Sequence, residues 1–245
     1  MLTAIIGGSG LSGRDDLENT HRETVTTPFG EPSGPLLFGR LADRDVVFLG
    51  RHGPGHTIPP HRVNYRANLH ALQQAGARQI LAVNAVGAIS RRLAVADLVI
   101  PDQLIDYTYG RAHTFHDAVG QPVTHVDFSE PFSRALRDRL LEAAQDHAIP
   151  VHAGGTYAAT QGPRFETAAE IERLARDGAS IVGMTGMPEA GLARELDLAY
   201  AMIAVVANPA AGRASEPLSQ DEVMRNLVAG IDSAWQLLLR VLPRL

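Results

Sequence analysis

The 245-residue sequence contains no cysteine, and that absence excludes disulfides, iron–sulfur clusters and thiol catalysis together. No run of lysine or arginine stands out either. With 22 basic against 27 acidic residues, the net charge is 22 − 27 = −5, which argues against a general nucleic-acid or anionic-membrane surface. No apolar stretch approaches membrane-spanning length. The opening Met-Leu-Thr-Ala-Ile-Ile-Gly-Gly has no basic n-region, and its apolar stretch ends after Ile6, so it reads as a first strand rather than a signal peptide. A reducing cytoplasm fits these absences. What is present is ordinary for a folded body: 45% hydrophobic and 20% charged residues, enough to bury a core without disulfides or metals.

No internal repeat or low-complexity linker interrupts the chain. Strand-like apolar runs alternate with helix-period segments from end to end, which predicts one α/β domain over residues 1–245. The strand candidates are Thr3–Gly7, Leu36–Arg40, Val46–Gly50, Gln79–Asn84, Gln103–Asp106, Gly155–Thr160, Ile181–Met184 and Tyr200–Ala207. Several are continuous apolar runs, as in strands buried on both faces. Helices are expected over Asn64–Ala75, stopped by Gly76, and over Phe132–His147, where Phe132, Leu136, Leu140 and Ala144 recur every four residues. Thr167-Ala-Ala-Glu170 and Ser219-Gln-Asp-Glu222 have capping-box spacing ahead of further helices, and Pro188 suits the first turn of a helix carrying Leu192 and Leu196. Two polar, irregular stretches remain, Arg51–Val63 and Tyr109–Glu130. In an α/β protein such loops usually carry chemistry or subunit contacts.

Four constellations could carry chemistry, and each has a structural alternative. Ile5-Ile6-Gly7-Gly8-Ser9-Gly10-Leu11 is a strand entering a glycine-rich turn, which lets the backbone approach an anion while Ser9 adds a hydroxyl. It is also what any tight turn after a strand would look like, and the dinucleotide pattern is incomplete. Arg51-His52-Gly53 places a guanidinium and an imidazole at a strand's end, suited to an oxyanion. His52, His56 and His61 raise a metal reading, but their spacing matches no helical zinc motif and no carboxylate lies among them. Gln161-Gly-Pro-Arg-Phe-Glu-Thr167 sets an aromatic beside a carboxylate, able to stack on a planar base and accept its ring N–H. Equally, Phe165 could be core and Glu166 a helix-start acid. Asn208 ends a buried apolar strand, where a carboxamide is costly unless hydrogen-bonded, or it caps the following turn. Ser90, Ser129 and Ser133 lack any G-x-S-x-G context, so no serine hydrolase is indicated.

Six segments together resemble the trimeric purine nucleoside phosphorylase and methylthioadenosine phosphorylase family. They are Ile6-Gly-Gly-Ser-Gly-Leu11; Arg51-His-Gly with His56-Thr-Ile-Pro-Pro60; Val63-Asn-Tyr-Arg-Ala-Asn68; Asn84-Ala-Val-Gly87; Gln161-Gly-Pro-Arg-Phe-Glu166; and Gly183-Met-Thr-Gly-Met-Pro-Glu189. They fall in the right order and span nearly the whole chain. The resemblance implies a three-layer α/β fold, a central mixed sheet flanked by helices. It also implies a cytoplasmic homotrimer acting on a purine nucleoside with inorganic phosphate as co-substrate, without cofactor, metal, nucleic acid or membrane. By position, Ser9, Arg51, His52, the backbone N–H of Ala85 and the hydroxyl of Thr185 look like the phosphate cradle. Met184 resembles the residue over the ribose, and Phe165 the wall against the base. Asn208, followed by Pro209 and Ala210, occupies the base-recognition and leaving-group position. His125 resembles a residue lent by the neighbouring subunit near the 5′ end of the sugar.

Within that family the residues lean two ways. The methylthioadenosine branch places aspartates where Asn208 and Ala210 stand, and a small hydroxyl residue at Glu166. An asparagine can donate to a 6-oxo group while its carbonyl oxygen faces a protonated N7, and Glu166 can accept the N1 proton that a 6-oxopurine carries. Adenine has a lone pair at N1 and would meet a repulsive contact. The Arg51–Asn68 region instead looks like the methylthio branch. Such hybrids resemble the bacterial S-methyl-5′-thioinosine phosphorylases, which implies phosphorolysis of S-methyl-5′-thioinosine to hypoxanthine and 5-methylthioribose 1-phosphate. Gln220, aligned with an apolar residue in one branch and a histidine in the other, leaves the 5′ group open. Inosine or guanosine phosphorolysis, methylthioadenosine phosphorolysis, a hydrolytic nucleosidase and a non-catalytic anion-binding protein are the alternatives.

Overall fold

Alternation along the central strands fills two cores at once. In β1 (Leu2–Gly7), Ala4 and Ile6 turn to one face of the sheet and Ile5 to the other. β5 (Ala77–Ala88) sends Ile80 and Ala82 to the first face, Leu81 and Val83 to the second. β11 (Ala199–Pro209) divides in the same way between Met202, Ala204 and Val206 and the odd-numbered Ala201, Ile203 and Val205. A strand covered on both faces has no polar position to spare, hence the continuous apolar runs. The computed structural model describes residues 1–8, 11, 17–120, 122–214 and 220–245, with side chains in the last segment from Arg225 onward.

Helices cover both faces. α1 (Tyr65–Gln74) and α4 (Gly186–Glu195) bring Leu69, Leu72 and Leu192 to the first. α2 (Arg134–Asp146) and α5 (Gln220–Val241) bring Leu136, Leu140, Trp235 and Leu238 to the second. α3 (Ala168–Arg176) packs Ile171 and Leu174 into a smaller third core. The expected three layers are therefore what forms. The expected capping box holds, with Thr167 and Glu170 closing it on α3, and Asn64 and Ser133 add side-chain caps to α1 and α2 that were not expected. Ser219 of the second expected box lies outside the described residues.

The sheet is mixed. β4 (Arg44–Gly50), β1, β5 and β11 run parallel, side by side. β3 (Leu36–Leu41) and then β2 (Glu18–Glu23) extend one edge antiparallel. β10 (Ala179–Gly183) pairs antiparallel with the end of β5, followed by β9 (Thr156–Ala159) and β7 (Gln103–Asp106), both parallel to it. β6 (Leu98–Ile100) lies antiparallel to β11 and carries β8 (His152–Ala153) beside it. Three strands were not expected. All six residues of β2 are exposed and polar or charged, so it has no apolar period and is placed by its ladder with β3. β6 and β8 are only three and two residues long, too short for any pattern. β5 also runs four residues past the expected end at Asn84, because β11 pairs with it as far as Ala88.

Candidate active site

The four parallel strands end at one edge of the sheet, and the chain just past them lines a cavity of about 680 Å³. Crevices at the carboxyl ends of parallel strands are where open α/β sheets bind ligands, and the volume is that of a small-molecule site. β10 delivers Gly183, Met184 and Thr185 to the same cavity from the other direction.

Arg51 follows β4 directly and is 2% exposed. Its Nε and Nη2 donate to the two carboxylate oxygens of Glu189, at 2.8 and 2.9 Å. Nη2 also reaches Asn84 Oδ1 at 3.3 Å, and Nη1 the carbonyl of Val83 at 3.4 Å. Glu189, fully buried in α4, takes a further bond from the Tyr200 hydroxyl at 2.8 Å. The fork expected to face phosphate is thus occupied by a buried carboxylate, and Nη1 is the part left for the cavity. Burial works against the charge of Arg51, but Glu189 more than offsets it and holds the guanidinium above its usual range. Burial and then Glu189 push the Tyr200 hydroxyl well up.

Asn84 passes this arrangement on. Its Nδ2 donates to Thr185 Oγ1 at 2.8 Å, which leaves the threonine's own hydrogen to donate elsewhere. Thr185 stands at the start of α4 without a side-chain cap. Its amide and that of Gly186 instead donate to the Tyr157 hydroxyl, both at 3.2 Å. Tyr157 has that place because residues 183 and 186 are glycine; a Cβ at either would collide with it. His52 places Nδ1 2.8 Å from the carbonyl of Ile58, so in the neutral ring Nδ1 is the donor and Nε2 the acceptor. Burial, with smaller contributions from Arg51 and His56, pulls His52 down to about 4. At pH 7 this side of the cavity therefore pairs one cation with one buried anion and adds a neutral imidazole, and Ala85 lines it from β5.

On the other side, Phe165 is 42% exposed and lines the cavity, so it is not core. Glu166 lines it too, with Oε1 accepting from the Thr160 hydroxyl at 2.6 Å, and the helix-start role belongs to Thr167 and Glu170 instead. Asn208 sits where the register between β11 and β5 shifts, a bulge that re-aims the chain beside the site. Its Nδ2 donates to the carbonyl of Pro209 at 2.7 Å. One N–H therefore caps the local turn, and the second N–H and Oδ1 are left for the cavity. Gly87 opposite makes the room, since a Cβ there would stand 3.3 Å from Asn208 Nδ2. Met184 and Ala210 complete this wall.

Not every expected residue arrives. Pro209 contributes its carbonyl to Asn208 but does not line the cavity. His125 is exposed and away from it within one chain. Ser9 and the side chain of Gln220 lie outside the described residues. The rings of His52 and His56 lie 4.4 Å apart and tilted by 30°, but among the described residues no group of three potential ligands is arranged to hold a metal. Glu189, Tyr157, Tyr200 and Thr160 were given no role by the sequence. Only Glu189 carried a signal, a carboxylate on a helix face otherwise apolar at Ala190, Leu192 and Ala193.

Residues 3–243 match the family model described as the phosphorylase superfamily. A protein of Pseudomonas syringae pv. tomato named as a probable S-methyl-5′-thioinosine phosphorylase is 51% identical over 98% of this chain and 97% of its own. The 6-oxopurine nucleoside phosphorylase of Pyrococcus furiosus is 44% identical over 98% of this chain and 91% of its own. Among solved structures, methylthioadenosine phosphorylase from Schistosoma mansoni in complex with adenine superposes with a TM-score of 0.94 at 35% identity. That match covers 99% of this chain and 91% of the other.

Proposed function

This chain belongs to the phosphorylase superfamily, and from that premise we propose that it cleaves S-methyl-5′-thioinosine with inorganic phosphate, giving hypoxanthine and 5-methylthioribose 1-phosphate. It is a pentosyltransferase of the purine nucleoside phosphorylase type. One observation carries the choice of base. The cavity lined by Arg51, His52 and Thr185 is also lined by Asn208, with one N–H and Oδ1 to spare, and by Glu166, with one oxygen already held by Thr160. A 6-oxopurine offers what these groups lack: an acceptor at O6, a donor at N1, and a donor at N7 once the base leaves. Leu11, Leu227 and Ile231 give the cavity apolar surface that suits a thioether. The names of the Pseudomonas and Pyrococcus relatives support the 6-oxo reading. The adenine-bound structural neighbour shares the fold, but fold does not read a base.

The chemistry needs no covalent enzyme intermediate, cofactor or metal. As the N9–C1′ bond breaks, its electron pair stays with the purine and the sugar becomes oxocarbenium-like. An oxygen of hydrogen phosphate forms the new bond to C1′, and the proton phosphate carried ends on the base. The neutral Nε2 of His52 can accept from that phosphate hydroxyl, while Arg51 Nη1, the Thr185 hydroxyl and the Ala85 amide donate to its other oxygens. Asn208 Oδ1 accepts from N7–H as that proton reaches N7, an interaction absent from the ground state and formed as the bond breaks. Ser9 belongs to the same cradle by family position. Assembly as a cytoplasmic homotrimer completes the reading, with His125, exposed within one chain, and by family position Gln220 meeting the 5′ end of the nucleoside.

The test is phosphorolysis at saturating phosphate with S-methyl-5′-thioinosine, inosine and S-methyl-5′-thioadenosine at equal low concentration. The thioinosine should be consumed fastest. Preference for inosine would turn Gln220 into a 5′-hydroxyl ligand, and preference for the thioadenosine would overturn the assignment of Asn208 and Glu166. Turnover in phosphate-free buffer would make the enzyme a hydrolase.

A further inference from the structure

Arg111 does not line the cavity, yet it ties together two segments that do. It lies in the irregular connection after β7 and is 8% exposed. Its Nη2 donates to the carbonyls of Thr160 and Gln161, at 3.3 and 2.8 Å, and its Nε to Gln161 Oε1 at 3.1 Å. Nη1 donates to the carbonyls of Met184 and Met187, at 2.8 and 2.6 Å, with the Tyr65 hydroxyl at 3.3 Å. The guanidinium carbon also lies 5.6 Å from the centroid of the Tyr65 ring. All six acceptors are neutral, and among the described residues no carboxylate lies within ion-pair distance of it.

A buried cation without a counter-ion is costly, and only full use of its donors offsets that cost. If the position served packing alone, an apolar side chain would fill it without the penalty. What a planar five-donor fork adds is fixed geometry between the segments it touches. Those segments are 160–161, whose Thr160 hydroxyl holds Glu166 and which runs on to Phe165, and 184–187, which carries Met184 and Thr185.

We propose that Arg111 is the positioning residue of the nucleoside half of the site. It locks residues 160–166 and 184–187 against each other, so that Glu166, Phe165 and Met184 face one ligand. This rests on reading the cavity as a nucleoside site. A lysine cannot replace it, because a single ammonium reaches one segment's carbonyls but not both.

The experiment compares wild type with Arg111→Lys, Arg111→Met and Arg111→Gly by calorimetric binding of hypoxanthine, steady-state kinetics and thermal melting. For Arg111→Lys, hypoxanthine affinity and nucleoside KM should worsen about ten- to a hundredfold, as expected when a binding wall shifts by a fraction of an ångström. The KM for phosphate should stay near wild type, because Asn84 and Tyr157 hold Thr185 independently of Arg111. Free guanidinium at non-denaturing concentration should restore base binding to Arg111→Gly, and ammonium should not. Unchanged hypoxanthine affinity in all three variants overturns the proposal. So does a loss of kcat that follows the drop in melting temperature while both KM values hold. Failure of the underlying reading would look different: wild type itself would bind no purine and turn over none of the three nucleosides.

Discussion

Replacing Glu189 with glutamine tests the anion side of the cavity through its most buried charge. Arg51 and Glu189 are 2% and 0% exposed and joined by two bonds of 2.8 and 2.9 Å. Removing one charge of such a pair leaves the other stranded, at a cost of about 3–5 kcal/mol. Glutamine keeps one oxygen for Arg51 or Tyr200, and Asn84 and Val83 still accept from the guanidinium. The lower end, about 3 kcal/mol, is therefore expected. For a chain of this size each kcal/mol moves the melting temperature by about 2–4 °C, so Glu189→Gln should melt about 6–12 °C lower. Phosphate sharpens the test. In wild type, phosphate at a hundred times its dissociation constant stabilises by about 2.7 kcal/mol. In Glu189→Gln, phosphate would be the anion facing Arg51, so the upward shift it produces should be larger than in wild type. Differential scanning calorimetry with and without phosphate gives both readings. A melting temperature within about 2 °C of wild type would refute the stranded-charge argument. An identical phosphate shift in both proteins would refute the placement of Arg51 beside phosphate.

Three further outcomes follow from the same geometry. Arg51→Ala strands Glu189 and so lowers stability as well, but among kinetic constants it should chiefly raise the phosphate concentration needed for half-saturation, and an unchanged phosphate dependence in initial-rate assays would mean the cradle is misassigned. Asn208→Asp combined with Glu166→Ser should lower the preference for 6-oxopurine over 6-aminopurine nucleosides by about a hundredfold or more, read as a ratio of kcat/KM values; an unaltered ratio would remove both residues from base recognition. His52 has its folded value lowered from 6.5 to about 4, so its contribution to stability is present above pH 6.5 and is lost as the pH falls toward 4. Urea melts at pH 7 and pH 5 should show wild type losing on the order of 1 kcal/mol more than His52→Asn, the figure being reduced for partial solvent exposure; equal losses would show that His52 is not held neutral.

Legibility in the sequence varied with the kind of interaction involved. The central strands and the helix starts at Asn64 and Thr167 were readable because apolar period and capping are local. β2 was not, since six exposed residues carry no period. Among candidate site residues, Phe165, Glu166, Met184, Thr185 and Asn208 stand out through short motifs, and the structure brings them to one cavity. Arg51 was found, but its main partner was not, because Glu189 lies 138 residues away.

The α/β alternation, the glycine and proline punctuation and the family are legible without a fold, because each is written in neighbouring residues or in motif order. Tertiary structure alone decided which donors remain available. The fork of Arg51 is committed to Glu189, Thr185 keeps its hydrogen because Asn84 donates to it, and Arg111 ties two segments 49 to 76 residues away. A polar side chain has the same hydrogen-bonding capacity wherever it stands in a sequence. Burial removes water as a partner and obliges it to find another within reach, and packing of the helices on the sheet sets which groups those are.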